Sequence, residues 1–274
     1  MLLAFAVLLS LISPAAAEPV LTGLDHIPVA VSDLDRAKAG YEAMGFVLKP
    51  GRAHANGIRN LHAKFPDGTE IELITATAAR DALSAEYVAW LKGGDGPPFA
   101  GFYTQEMIGL LGRISDLGSP LVFENGIASF RPESLLHHFF FGGRQKSPTD
   151  RPEHFAHPNT ATALTGLWLA EDTVTESLLQ LLDAARASGT RCAPFGPSTA
   201  RMTFPEGDAS FVRTISPRPI LGATVAIGSL ETARRRLTEK SVRFEQNACA
   251  PESLWIAPEA AHGLWLELRQ AARQ

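Results

Sequence analysis

An excess of positive charge is what this sequence most plainly lacks. Its 25 Lys and Arg stand against 29 Asp and Glu, for a net charge of −4 and a pI near 6.1. Without a basic footprint, nucleic acid is not an expected partner. The one dense basic run, Arg234-Arg235-Arg236, reads as the solvated face of a helix. Cysteine is also scarce. Cys192 and Cys249 stand far apart in the chain and form no metal-type cluster. They are one disulfide or two buried thiols, and spacing alone leaves both open. With 45% hydrophobic and 20% charged residues in 274, the remainder is ordinary globular material, enough for one or two domains.

Residues 1–17 hold an apolar stretch, then Pro14 and the small residues Ala15, Ala16 and Ala17 before Glu18. This reads as a secretory signal peptide, although no Lys or Arg precedes the apolar run. The expected location is secreted or periplasmic, with no stable membrane span after cleavage. A misplaced start codon would make the protein cytoplasmic.

From residue 23 onward the pattern is regular. Leu24–Val31 is an apolar run with His26 inside it, and Ser32-Asp33-Leu34-Asp35 opens a helix that stops at Gly45. Phe46–Leu48, Arg59–Phe65 and residues 69–75 read as strands, the last two joined by the tight turn Pro66-Asp67-Gly68. That turn has echoes. Phe204-Pro205-Glu206-Gly207 precedes an apolar strand, and Phe130-Arg131-Pro132-Glu133-Ser134 precedes Leu135–Phe139. Gly263–Leu268 can be laid on Gly68–Leu73 without a gap, Glu267 falling on Glu72. Each echo follows its own strand–helix–strand segment, with helices expected near 105–117, 174–188 and 229–240. A further helix near 84–92 connects the first two units. Such self-similarity sets the fold reading: an α+β chain of four βαβββ modules. The expected domains are 23–142 and 163–270, joined by a Pro-, Thr- and His-rich linker over 143–162.

The Asp25-His26-Ile27 start, the Pro66-Asp67-Gly68…Glu72-Leu73 finish and the fourfold repeat resemble the vicinal oxygen chelate superfamily of glyoxalases, bleomycin-resistance proteins and extradiol dioxygenases. More narrowly, Phe139-Phe140-Phe141 leading through a Pro-rich link to His157-Pro158-Asn159 is similar to glyoxalase-like domain proteins. The resemblance implies that the four βαβββ modules pair into two open-barrel halves, with metal ligands on the first and fourth strands of paired modules. Carried over by internal alignment, those positions are His26 and Glu72 in module one and His138 in module two, with His137 the substitute if the register slips by one. The corresponding first strands of the other modules offer Gly101, Gly166 and Gly222.

Two imidazoles and a carboxylate suit a divalent ion such as Fe, Mn, Ni or Zn with open positions. The implied activity is then lyase or isomerase chemistry, or dioxygenase chemistry, on a small substrate that chelates the ion through vicinal oxygens, with Glu72 or Glu267 moving a proton. Arg59, His62, Tyr103, Phe140 and Arg144 are the candidate substrate contacts. His54, His154, His157 and His262 are weaker candidates, and His262 is expected exposed in its turn. Where some similar sequences carry a histidine past the Phe run, this chain reads Gly142-Gly143-Arg144. That departure supports the alternative of a metal-free small-molecule binding or resistance protein with an apolar cup. The expected assembly is a monomer or homodimer.

Overall fold

The structure is a computed structural model and describes residues 20–144, 147–171, 177–178, 181, 190–246 and 249–271. The segment expected to be a signal peptide and most of the helix expected near 174–188 lie outside the described residues. The first module runs β1 (Gly23–Leu24), β2 (His26–Ala30), α1 (Leu34–Ala43), β3 (Lys49–Pro50), β4 (Arg59–Lys64) and β5 (Glu70–Thr75). Helix α1 begins where the sequence directs. The Asp33 carboxylate accepts the Asp35 and Arg36 N–H groups, and Gly45 ends it at φ +92°.

Helix α2 (Ala82–Leu91) leads to the second module: β6 (Ala100–Tyr103), α3 (Met107–Asp116), β7 (Leu121–Glu124), β8 (Ile127–Phe130) and β9 (Phe139–Gly142). The third contains β10 (Ala161–Ala170), β11 (Cys192–Ala193), β12 (Gly196–Phe204) and β13 (Gly207–Val212). The fourth contains β14 (Ile220–Ile227), α4 (Leu230–Glu239), β15 (Ser253–Ile256) and β16 (Trp265–Gln270). In every module the first strand pairs parallel with the last, and the last pairs antiparallel with the one before it.

Modules pair through their first strands. Gly23 and Leu24 run antiparallel to Tyr103 and Phe102, and β10 runs antiparallel to β14. The first half therefore folds as sheets ordered β2-β5-β4-β3 and β1-β6-β9-β8-β7, and the second as one seven-stranded sheet. The strand alternation segregates the faces. Ile27, Val29, Ile71 and Leu73 join Tyr41 of α1 in one core that also takes in Leu164, Leu167 and Phe211 of the second half. The opposite face of β2, β4 and β5 carries His26, Asn60, His62, Lys64, Glu70 and Glu72. No helix among the described residues is long and apolar enough to cross a membrane.

Two expected strands sit elsewhere. The second strand of module one is Lys49–Pro50, not Phe46–Leu48. The last strand of module two begins only at Phe139, because residues 131–138 form successive turns, Arg131 C=O accepting from Ser134 and Ser134 C=O from His137. The tight turn it was matched to depends on Gly68 at φ +92°, and Arg131–Ser134 contains no glycine.

Candidate functional site

The first cup is polar because β2, β4 and β5 present alternate residues to it. Parallel pairing sets His26 opposite Glu70 and Pro28 opposite Glu72, so His26 meets Glu72 along a diagonal. His26 Nε2 lies 3.7 Å from Glu72 Oε2, while its Nδ1 bonds the Asp25 carboxylate at 2.7 Å. Burial pulls the imidazole pKa down, but the Asp25 bond and the charges of Asp25, Glu72 and Glu70 outweigh this and push it up to about 9. At neutral pH His26 is therefore an imidazolium. Its Nε2–H and the Glu72 oxygen stand side by side, too far apart to be bonded to each other.

The neighbours hold this pair in place. Asn60 Nδ2 donates to Glu72 Oε1 at 2.5 Å. Glu70 takes the His62 ring at 3.0 Å and Lys64 Nζ at 3.0 Å. Burial works to raise the Glu70 carboxyl, but these partners and the His26 charge bring it down to about 2. Asp150 of the linker bridges Lys49 and Lys64 above them. Tyr87 of α2 is buried beside the site, its hydroxyl pKa pushed far up by burial and by the charges of Glu72 and Glu86. The ring of Phe140 crosses over from β9 to lie 4.9 Å from that of His26. Gly101 permits this crossing, since a Cβ there would come within 2.4 Å of the Phe140 ring.

The remaining expected residues are distributed differently. His138 precedes β9, donates Nδ1–H to the Pro98 carbonyl at 2.8 Å, and packs against Trp90, Phe99 and His137. Arg144 clamps the fold. Its guanidinium bonds the Leu24 carbonyl and Glu206 and stacks over Tyr103 at 4.5 Å. Arg59 is exposed at the start of β4. Glu267 is fully buried in the second half, where Arg191, Thr224 and Arg269 hold it. His157 bonds the Val47 N–H and the Lys64 carbonyl, fixing the linker to module one. His262 is buried rather than exposed and binds Asp95 at 2.7 Å. Sequence reasoning passed over Asp25, Asn60, Glu70 and Tyr87. For Asn60 and Glu70 the signal was available, as the polar residues 60, 62, 64, 70 and 72 alternate along two strands.

The resemblance implies a divalent ion held by these donors. His26 Nε2 and Glu72 converge, and Asp25 orients the imidazole as a metal-bound histidine requires. A third donor is not brought to them: among the described residues no group of three or more His, Cys, Asp or Glu side chains is arranged to hold an ion. The described residues therefore do not fit a three-donor site.

No curated protein matches the sequence. Solved structures do match, at identities that carry the fold alone. A hypothetical protein from Staphylococcus aureus aligns with 10% identity and TM-score 0.62 over 91% of this chain and 99% of its own. A mutant of 4-hydroxymandelate synthase from Streptomyces coelicolor aligns with 12% identity and TM-score 0.66 over 93% and 94%. The 2,3-dioxygenase LapB from Pseudomonas sp. KL28 aligns with 13% identity and TM-score 0.63 over 94% of each chain. The model of one family, described as a glyoxalase-like domain, matches residues 24–185, more than half of the chain. With modules paired through their first strands and this family model over more than half of its length, this chain belongs to the glyoxalase-like domain family of the vicinal oxygen chelate superfamily.

Proposed function

We propose that the first cup is the working site of an enzyme that moves a proton next to a carbonyl group on a small oxygenated substrate. The observation that carries this reading is the diagonal pair: an imidazolium N–H and a carboxylate oxygen 3.7 Å apart, unbonded to each other and facing one cup. Glu72 is the base that takes the proton from carbon. His26 Nε2–H donates to the substrate oxygen on which negative charge develops. Asp25 fixes the imidazole and keeps it charged, Asn60 fixes the carboxylate, and Phe140 supplies the apolar wall. This is chemistry of the isomerase or lyase kind, and the steps use only side chains of this chain. The apolar N-terminal stretch and the disulfide between Cys192 and Cys249 together support export to an oxidising compartment.

The test is solvent deuterium incorporation by NMR into a panel of α-hydroxyketones and α-hydroxyaldehydes, before and after dialysis against a chelator. Exchange that survives chelation and falls at least a hundredfold in Glu72→Gln is the expected result. Exchange abolished by chelation and restored by a divalent ion would replace this mechanism with a metal-assisted one. Saturable binding without exchange would make the protein a binder.

A further inference from the structure

The second half contains a cup of its own, and it differs in kind from the first. The residues that share its inner face follow from register. Arg201 is opposite Ser210, Ser210 opposite Trp168, Trp168 opposite Gly222, and Gly222 opposite Trp265, while Trp255 is opposite Glu267 on the same side. Three of the chain's four tryptophans therefore share one face. The half-buried ring of Phe195, on the hairpin joining β11 to β12, stands 5.5 Å from each of Trp168, Trp255 and Trp265.

The same face gathers guanidinium groups. Arg191 is held by Asp208 and Glu267, Arg269 by Glu267 and Glu252, and Arg201 lies in the field of Asp208, while Arg191 lies over the Trp168 ring at 5.0 Å. Four buried atoms here have no hydrogen-bond partner among the described residues: Nε of Arg191, Nε of Arg201, Nε1 of Trp255 and Oγ of Ser210. Three of them can only donate, and Trp255, Ser210 and Arg191 are more than nine-tenths buried. Buried donors without acceptors are costly, and their concentration on one aromatic-walled face calls for an acceptor-rich guest.

We propose that this second cup is a binding site for a planar aromatic carboxylate. The ligand's ring takes the place of the Phe195 ring among the three tryptophans, and its carboxylate accepts from Arg201, Arg191 and Trp255. Phe195 is then the door. Its hairpin is tied through Cys192 to Cys249, so the ring swings without the strand leaving the sheet. This inference stands apart from the reaction proposed for the first cup.

Benzoate is the probe, titrated into the full chain by calorimetry and tryptophan fluorescence, with benzyl alcohol as the neutral control. Saturable benzoate binding is expected, tightened at least tenfold in Phe195→Ala and weakened at least tenfold in Arg201→Gln. Trp255→Phe keeps the ring, loses the donor and is expected to weaken binding several-fold. Circular dichroism and thermal melts establish that each variant is folded. Absence of saturable binding in both the natural chain and Phe195→Ala would overturn the proposal, leaving buried water as what satisfies the donors. Equal affinity for benzyl alcohol would overturn it too, as would binding that is lost in Glu72→Gln, which would place benzoate in the first cup.

Discussion

At the scale of single residues, the four first strands show how one position decides what a cup contains. In module one it is His26. Gly101, Gly166 and Gly222 occupy the places assigned to it elsewhere, and in each a Cβ would collide: with the Phe140 ring at 2.4 Å, with Thr224 Oγ1 at 2.7 Å, and with the Trp265 carbonyl at 2.7 Å. Glycine lets another module's side chain or a neighbouring strand close in; histidine keeps a functional group there. Gly101→Ala is thus expected to displace the Phe140 ring and cost about 1–3 kcal/mol, the range for overpacking a tight core. Its melting temperature should fall while Phe140→Leu/Gly101→Ala, with no ring to strike, recovers much of the loss. If the single variant melts like the natural chain, the crossing of Phe140 over Gly101 is not a fixed contact. Of the site, His26 and Glu72 were readable because a histidine in an apolar strand and a carboxylate between Ile71 and Leu73 are conspicuous. Asn60 and Glu70 were not singled out, since polar residues in a strand usually signal only a wet face, and the wetness here belongs to the cup.

At the scale of elements, the linker is a structural part and not only a tether. His157 accepts the Val47 N–H at 2.9 Å through Nδ1 and donates Nε2–H to the Lys64 carbonyl at 2.8 Å, while Asn159 bonds the Met44 carbonyl at the end of α1. Burial lowers the His157 pKa below its ordinary 6.5, and the ring must be neutral to accept from Val47. The folded value lies below the unfolded one. The contribution is therefore complete above about pH 6.5 and is lost as pH falls below it toward the folded value. His157→Phe keeps a ring between Phe46 and Phe65 but strands a donor and an acceptor, for an expected loss of about 2–4 kcal/mol. Denaturant titrations at pH 5 and pH 7.5 should show a smaller pH dependence in the variant than in the natural chain; an unchanged difference would assign the acid sensitivity to other groups. Elements were legible where turn chemistry was strict. Pro66-Asp67-Gly68 announced its hairpin, and Ser32-Asp33 its helix, of which Asp33 is the cap. The Asn125-Gly126 turn between β7 and β8, with both residues at positive φ, carried the same kind of signal and was passed over in favour of the Arg131–Ser134 stretch. That choice placed His138 on a strand it only precedes.

For the whole molecule, the question is whether two half-barrels built alike unfold as one. Their contacts are numerous and of several kinds. The apolar core is continuous across them. Thr69 Oγ1 accepts from the Leu164 N–H at 2.7 Å, His262 binds Asp95, and Arg218 donates to the carbonyls of Gly93 and Gly94. Arg144 joins module one, module two and Glu206 of module three. A boundary that shares its core is not the loose, polar interface of domains that move independently. We expect a single unfolding transition, with tryptophan fluorescence and far-ultraviolet circular dichroism superimposing in denaturant. The disulfide sharpens the test. It links residues 57 apart, both in the second half, and closing a loop of that length is worth on the order of 4 kcal/mol in the chain-entropy model. If the halves are coupled, Cys192→Ser/Cys249→Ser lowers the stability of the entire chain, and Trp90 and Tyr87 in the first half report the same shifted midpoint as the tryptophans of the second. If they are not, the variant resolves two transitions, and only the one reported from the second half moves.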